Sequence, residues 1–226
     1  IHSAAYTFTG IDKVDIPMEL NPYDSRHWPC FASVIDYLAQ HGAYQPASRN
    51  TGASEIPPNI QLPFRFSSRS PQFTRGGPYG GFLGRSFDPV CTEFDGKNTQ
   101  QVGRWTGNNL ATVEEPYLGI QPDGKFVISS AAQFGPEMTL DRLDRRRSLL
   151  AQFDLARREL GQSPAPRGHE RAKQLAYDFL TSPTIREALD ISREPAGVRE
   201  AYGMSLFGQA TLAGRRLLEA GATVVT

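Results

Sequence analysis

Residues 205–226 read SLFGQATLAGRRLLEAGATVVT, and this stretch decides the fold class. Its first seventeen residues form a helix rich in leucine and alanine, and Gly221 stands where a helix ends in the left-handed conformation that glycine adopts without cost. Directly after it, Ala222-Thr223-Val224-Val225-Thr226 is a β-branched run that reads as a strand. A helix delivering the chain straight into a strand is the repeating step of an α/β fold.

Upstream of it the last third is helical. Ser182-Pro183 and Glu194-Pro195 each place a proline where a helix begins. Further back, Leu175, Ala176, Phe179 and Leu180 turn inward from one helix, and a Pro/Gly linker covers Ser163 to Gly168. The stretch MTLDRLDRRRSLLAQFDLARREL aligns Leu143, Leu150, Phe153 and Leu160 on one stripe, with Thr139 at its N-cap. The run Arg145-Arg146-Arg147 is a solvated face, because Asp141, Asp144 and Asp154 accompany it within helical reach.

The middle is different. Ala43 to Pro89 is rich in Pro, Ser, Asn and Gly, with one strand at Ile60–Phe64 whose Pro63 argues for a sheet edge. The aromatics Phe64, Phe66, Phe73, Tyr79, Phe82 and Phe87 argue against disorder there. Asp95 to Pro136 reads as a polar, irregular insertion, with a turn at Gln121–Gly124 followed by a short strand at Lys125–Ile128. Near the start, Phe31, Val34, Ile35 and Leu38 repeat at helical spacing after Pro29, and Gly42 ends that helix. The chain opens at Ile1 and stops on a bare apolar strand, so it reads as an internal piece of a longer protein. We therefore expect one incomplete domain over 1–226: a helical part over 1–42, a loop-rich insertion with short strands over 43–136, and helices leading into a sheet strand over 137–226.

The composition narrows the function. Lys+Arg and Asp+Glu balance at 24 each, which leaves no electrostatic footprint for nucleic acid. No apolar run reaches the roughly 18 residues of a membrane span. The two cysteines, Cys30 and Cys91, allow one bridge or two buried thiols. The four histidines, His2, His27, His41 and His169, are scattered without paired metal-ligand spacing.

The loop RGGPYGGFLGRSFDPV, Arg75 to Val90, has the glycines of a phosphate cradle but no Gly-Lys-Ser/Thr ending, and Gly76, Gly80 and Gly84 do not match the dinucleotide fingerprint. Whether another anion sits there stays open. Arg75 and Arg85 flank the loop and can clamp a carboxylate, sulfate or phosphate, or can be solvated loop residues. Asp88-Pro89 is a turn starter. His2-Ser3 has the composition of a base and a nucleophile, although adjacent side chains rarely point the same way. Gln209, with Gly208 and Ala210 beside it, can bring its amide close to a strand or a site, or can be one more polar face residue. No nucleophile elbow, His-Glu-x-x-His or Cys-x-x-Cys occurs.

Four stretches, RHWPCFASVIDYL, GPYGGFLGRSFDPV, TLDRLDRRRSLLAQFD and YGMSLFGQATLAGRRLLEAGATVVT, resemble an uncharacterised bacterial family, the domain of unknown function fifteen-oh-one. That family is grouped with the alkaline phosphatase and sulfatase superfamily. Phe207-Gly208-Gln209, in a helix that runs into Glu-Ala-Gly and an aliphatic strand, is its most specific match. The resemblance implies part of an alkaline-phosphatase-like α/β sandwich. It also implies twin-arginine export to the periplasm or the outside of the cell, and hydrolysis of phosphate or sulfate esters with divalent metal ions. The nucleophile and most of the metal ligands would lie outside this chain, leaving no metal ligand to assign within it. The pocket rim would be His2, Ser3, Arg75, Gly76, Gly77, Tyr79 and Gln209. A non-catalytic binding or scaffold protein for surface polysaccharide is the alternative on the same fold, motivated by the aromatics of the loop region.

Overall fold

The computed structural model describes residues 7–11, 24–43, 56–64, 77–106, 109–128 and 182–226. Its helices are α1 (Phe31–Gln40), α2 (Pro183–Leu189), α3 (Ala196–Tyr202) and α4 (Leu206–Glu219). Its strands are β1 (Asn59–Gln61), β2 (Val90–Asp95), β3 (Gln101–Thr106), β4 (Asn109–Glu114), β5 (Lys125–Ile128) and β6 (Val224–Val225). The stripe expected over Leu143–Leu160 and the helix at Leu175–Leu180 lie outside the described residues.

The step from α4 to β6 is built as the sequence indicates. Ser205 caps the helix by accepting a hydrogen bond from the Gly208 N–H at 3.3 Å. At the other end the Ala222 N–H donates to the Leu217 carbonyl at 2.9 Å and the Gly221 N–H to Leu218 at 3.1 Å. This paired closure requires a left-handed residue between helix and strand, and Gly221 supplies it with φ 113°. The turn fixes the direction in which β6 leaves. Upstream, Ser182 caps α2 with Pro183 in its first turn, and the Pro195 carbonyl receives the Val198 and Arg199 N–H groups that open α3.

Strand β6 pairs parallel with β1, and β1 pairs parallel with β2 on its other side. Strand β5 then joins β2 antiparallel, giving the order β5-β2-β1-β6. This mixed sheet with its helices is the expected α/β fold. The reading of Ile60–Phe64 as an edge strand is corrected: β1 lies inside the sheet, buried at every position. Pro63 is compatible with that because it follows the strand's last residue, Gln61, instead of interrupting its ladder.

Alternation along β1 sends Ile60 to one face and Asn59 and Gln61 to the other. Ile60 joins the core formed with Leu206, Ala210, Leu212, Ala213 and Leu217 of α4, Ile185 and Leu189 of α2, and Phe126 of β5. On the other face Gln61 accepts a hydrogen bond from the Cys91 thiol at 3.2 Å. Both cysteines are buried free thiols, and burial pushes the Cys30 thiol up from its ordinary value.

Two further expectations change. The insertion read as irregular contains the β3–β4 hairpin, in register from Gln101 opposite Glu114 to Thr106 opposite Asn109. Gln101, Gly103, Leu110 and Thr112 on one face and Asn109 on the other are exposed, so no strict alternation of apolar and polar residues announces it. Helix α1 forms where expected but turns the other way. Its buried positions are Ala32, Ser33 and Asp36, not the apolar stripe. Small side chains allow close approach, and the Ser33 hydroxyl donates to the Phe87 carbonyl at 2.8 Å.

Candidate functional site

In open α/β sheets, ligands bind beyond the carboxyl ends of parallel strands, where neighbouring connections diverge. Here β1 is such a strand, with β2 on one side and β6 on the other. A groove of about 430 Å³ opens where β1 and β6 end, lined by Leu62, Pro63, Val225 and Thr226 from the strand ends and by Phe207, Gly214 and Leu218 from α4. Gly214 faces these strand ends: a Cβ there would make ordinary contact, 3.4 Å from Val225 and 3.7 Å from Leu62.

The groove is mostly apolar, with polar groups at its margin. The Thr226 Oγ1 is buried without a hydrogen-bond partner. The Arg215 guanidinium donates through Nη2 to Glu194 Oε1 at 3.2 Å. Its Nε lies 3.2 Å from Glu219 Oε1, an ion pair without hydrogen-bond alignment. Tyr202, then Glu219 and Glu194, raise the Arg215 pKa above its ordinary value. Glu194 is shared with Arg216, whose Nη1 donates to the same oxygen at 2.6 Å. Two arginines facing two carboxylates leave no surplus charge, so this groove suits an uncharged apolar group better than a free anion. Phe207, at the rim, stacks on Tyr117 with ring centroids 5.3 Å apart.

The residues expected at a pocket rim are placed as follows. His2, Ser3, Arg75 and Gly76 lie outside the described residues. Gly77 and Tyr79 belong to the glycine loop, which packs against the segment preceding α1: the Cys30 N–H donates to the Tyr79 carbonyl at 2.9 Å and the Phe82 N–H to the His27 carbonyl at 3.0 Å. Tyr79 is buried. The described part of the loop holds a carboxylate of its own. Asp88 Oδ1 accepts from the Gly80 N–H at 2.7 Å, and Arg85 Nε faces Asp88 Oδ2 at 3.7 Å. In the described part of the loop, the Gly80 amide and Arg85 are thus both turned to an internal carboxylate.

Gln209 is fully buried and spends its amide on the protein. Its Nε2 donates to the carbonyls of Arg199 at 2.8 Å and Gly203 at 3.0 Å. Its Oε1 accepts from Arg199 Nε at 3.1 Å, and Arg199 Nη2 continues to the Pro122 carbonyl at 2.8 Å. The close approach foreseen from the small neighbours is real, but its target is the end of α3. A Cβ on Gly208 would collide with the carbonyls of Tyr202 and Gly203. Neither Gln209 nor the described residues of the glycine loop line the groove.

Sequence reading missed Leu62, Gly214, Arg215 and Thr226, because they meet only through the β1–β6 pairing. The one local signal was the run of small residues, Ala210, Ala213 and Gly214, on a helix leading into a strand. Among the described residues no three His, Cys, Asp or Glu side chains are grouped to hold a metal ion. The resemblance places most of the metal ligands outside this chain, and no step is derived through metal ions. No helix among the described residues is long and apolar enough to cross a membrane.

No curated protein and no solved structure matches the chain. A family profile does match, over residues 24–226, and it spans the glycine loop, the sheet and the α4–β6 step. The chain belongs to the family described as "Protein of unknown function (DUF1501)".

Proposed function

We propose that this chain is part of an exported hydrolase of phosphate or sulfate esters, and that the groove beside α4 receives the apolar leaving-group portion of the ester. One observation carries the reading: the groove opens at the carboxyl ends of two parallel strands, β1 and β6, the position at which α/β sheets take their ligands. Its apolar lining and balanced margin suit the organic part of an ester, while the reacting phosphoryl or sulfuryl group would project beyond the strand ends.

The test uses protein expressed from its full reading frame, assayed on aryl and short alkyl phosphates and sulfates with zinc, calcium or manganese added in turn. Aryl esters are expected to turn over with the higher kcat/KM. Gly214→Val fills the groove and is expected to raise KM for aryl esters about tenfold with little change in kcat, the signature of lost uniform binding. Absence of hydrolysis under every metal condition ends the proposal.

A further inference from the structure

Arg199 is a buried cation without a carboxylate. Only 8% of the residue is exposed, and both acceptors it reaches are neutral. Its Nε donates to Gln209 Oε1 at 3.1 Å and its Nη2 to the Pro122 carbonyl at 2.8 Å. Arginines of the same region that need balancing less are balanced. Arg215 and Arg216 share Glu194, and the half-exposed Arg193 faces Glu187 at 3.0 Å. Taking a charge out of water is expensive unless an opposite charge compensates it. The amide oxygen and carbonyls around Arg199 supply partial negative charge, not a counter-charge. A buried charged group left in this state calls for a bound ion.

The guanidinium is held from within and open at its outer end. Gln209, itself fully buried, fixes Nε and also donates to the carbonyl of Arg199, so one amide ties the side chain and the backbone of the same residue. At the other end Nη2 meets the carbonyl of Pro122, an exposed residue of the Gln121–Gly124 turn, which brings the fork to the surface. Nη1 donates to none of the described residues. The Nη1–Nη2 edge is the one that takes two oxygens of a carboxylate, phosphate or sulfate in parallel hydrogen bonds. Because Gln209 and the packing of α3 already order this long side chain, a ligand meets little of that entropic cost. A neutral ligand would leave the charge as it stands, so the occupant is an anion.

We infer that Arg199 binds a small oxyanion, a phosphate, sulfate or carboxylate group, at the surface beside the Gln121–Gly124 turn. The site is separate from the groove, which Arg199 does not line, and it does not rest on the hydrolase reading. Protein from the full reading frame, isotope-labelled at its arginine nitrogens, is titrated with inorganic phosphate, sulfate and acetate in turn, with chloride keeping the ionic strength constant. The Arg199 Nε–H resonance, assigned through its side-chain carbons, is expected to move and to saturate, with a Kd of about 1 mM for the preferred anion. Saturation by any of the three supports the site, and their ranking tells a planar carboxylate ligand from a tetrahedral one. In calorimetric titration, Arg199→Lys, which keeps the charge without the fork, should weaken binding at least about tenfold. Arg199→Gln should abolish it, and Arg186→Gln, at an exposed arginine of α2, should leave it unchanged. A purely structural Arg199 would lower the stability of its variants with no anion response in the native protein. Should Arg199→Gln fail to fold, the titration of the native protein decides. An Nε–H resonance that stays still up to about 50 mM of every anion, or binding undiminished in Arg199→Gln, overturns the inference.

Discussion

Among the buried carboxamides of the described residues, Gln209 and Asn59 live in opposite circumstances. Gln209, at the corner between α3 and α4, makes three hydrogen bonds and holds the buried Arg199 in place. Asn59, at the start of β1, is 3% exposed, and neither its Oδ1 nor its Nδ2 has a partner. A satisfied buried amide fixes one arrangement of the chain, whereas an unsatisfied one keeps the desolvation cost without the bond. The contrast separates residues that organise this fold from residues it only tolerates.

The sharpest way to break the contrast is Gln209→Ala. It removes all three bonds and leaves Arg199 Nε buried without its acceptor, and should destabilise the protein by about 2–4 kcal/mol in urea unfolding. A loss below about 1 kcal/mol would mean that the corner is not fixed by this amide. Asn59→Leu keeps the heavy-atom shape and removes the orphaned polar atoms, so it should be neutral or stabilise by up to about 1 kcal/mol. Destabilisation beyond about 1 kcal/mol would show that Asn59 has an essential partner, and the contrast would fail. The smallest effect belongs to Arg85→Ala. Its guanidinium is 70% exposed over Asp88, and its loss should change stability by no more than about 0.5 kcal/mol. A larger change would mark the glycine loop as a third region held by electrostatics instead of by backbone packing.

The same contrast explains what could be read from the sequence. The starts of α2 and α3 and the end of α4 were legible because Ser182-Pro183, Pro195 and Gly221 act on their own neighbours. The role of Gln209 was half legible: small flanking residues announce a close approach but cannot name Arg199 as its object. The orientation of α1 was misread because apolar periodicity was taken to mark the buried face. Contact through Ala32 and Ser33 decided otherwise, and that contact depends on Phe87, 54 positions from Ser33. The candidate groove was illegible for a related reason, since Leu62 and Thr226 meet only once β6 pairs with β1.

Asp88 also carries an evolutionary consequence. A turn whose amide is quenched by an internal carboxylate stands a single nucleotide change from losing it, because Asp codons convert in one step to Gly, Ala or Asn. Such a change would free the Gly80 amide and remove the carboxylate that Arg85 faces, so a single side chain sets the electrostatic character of this turn.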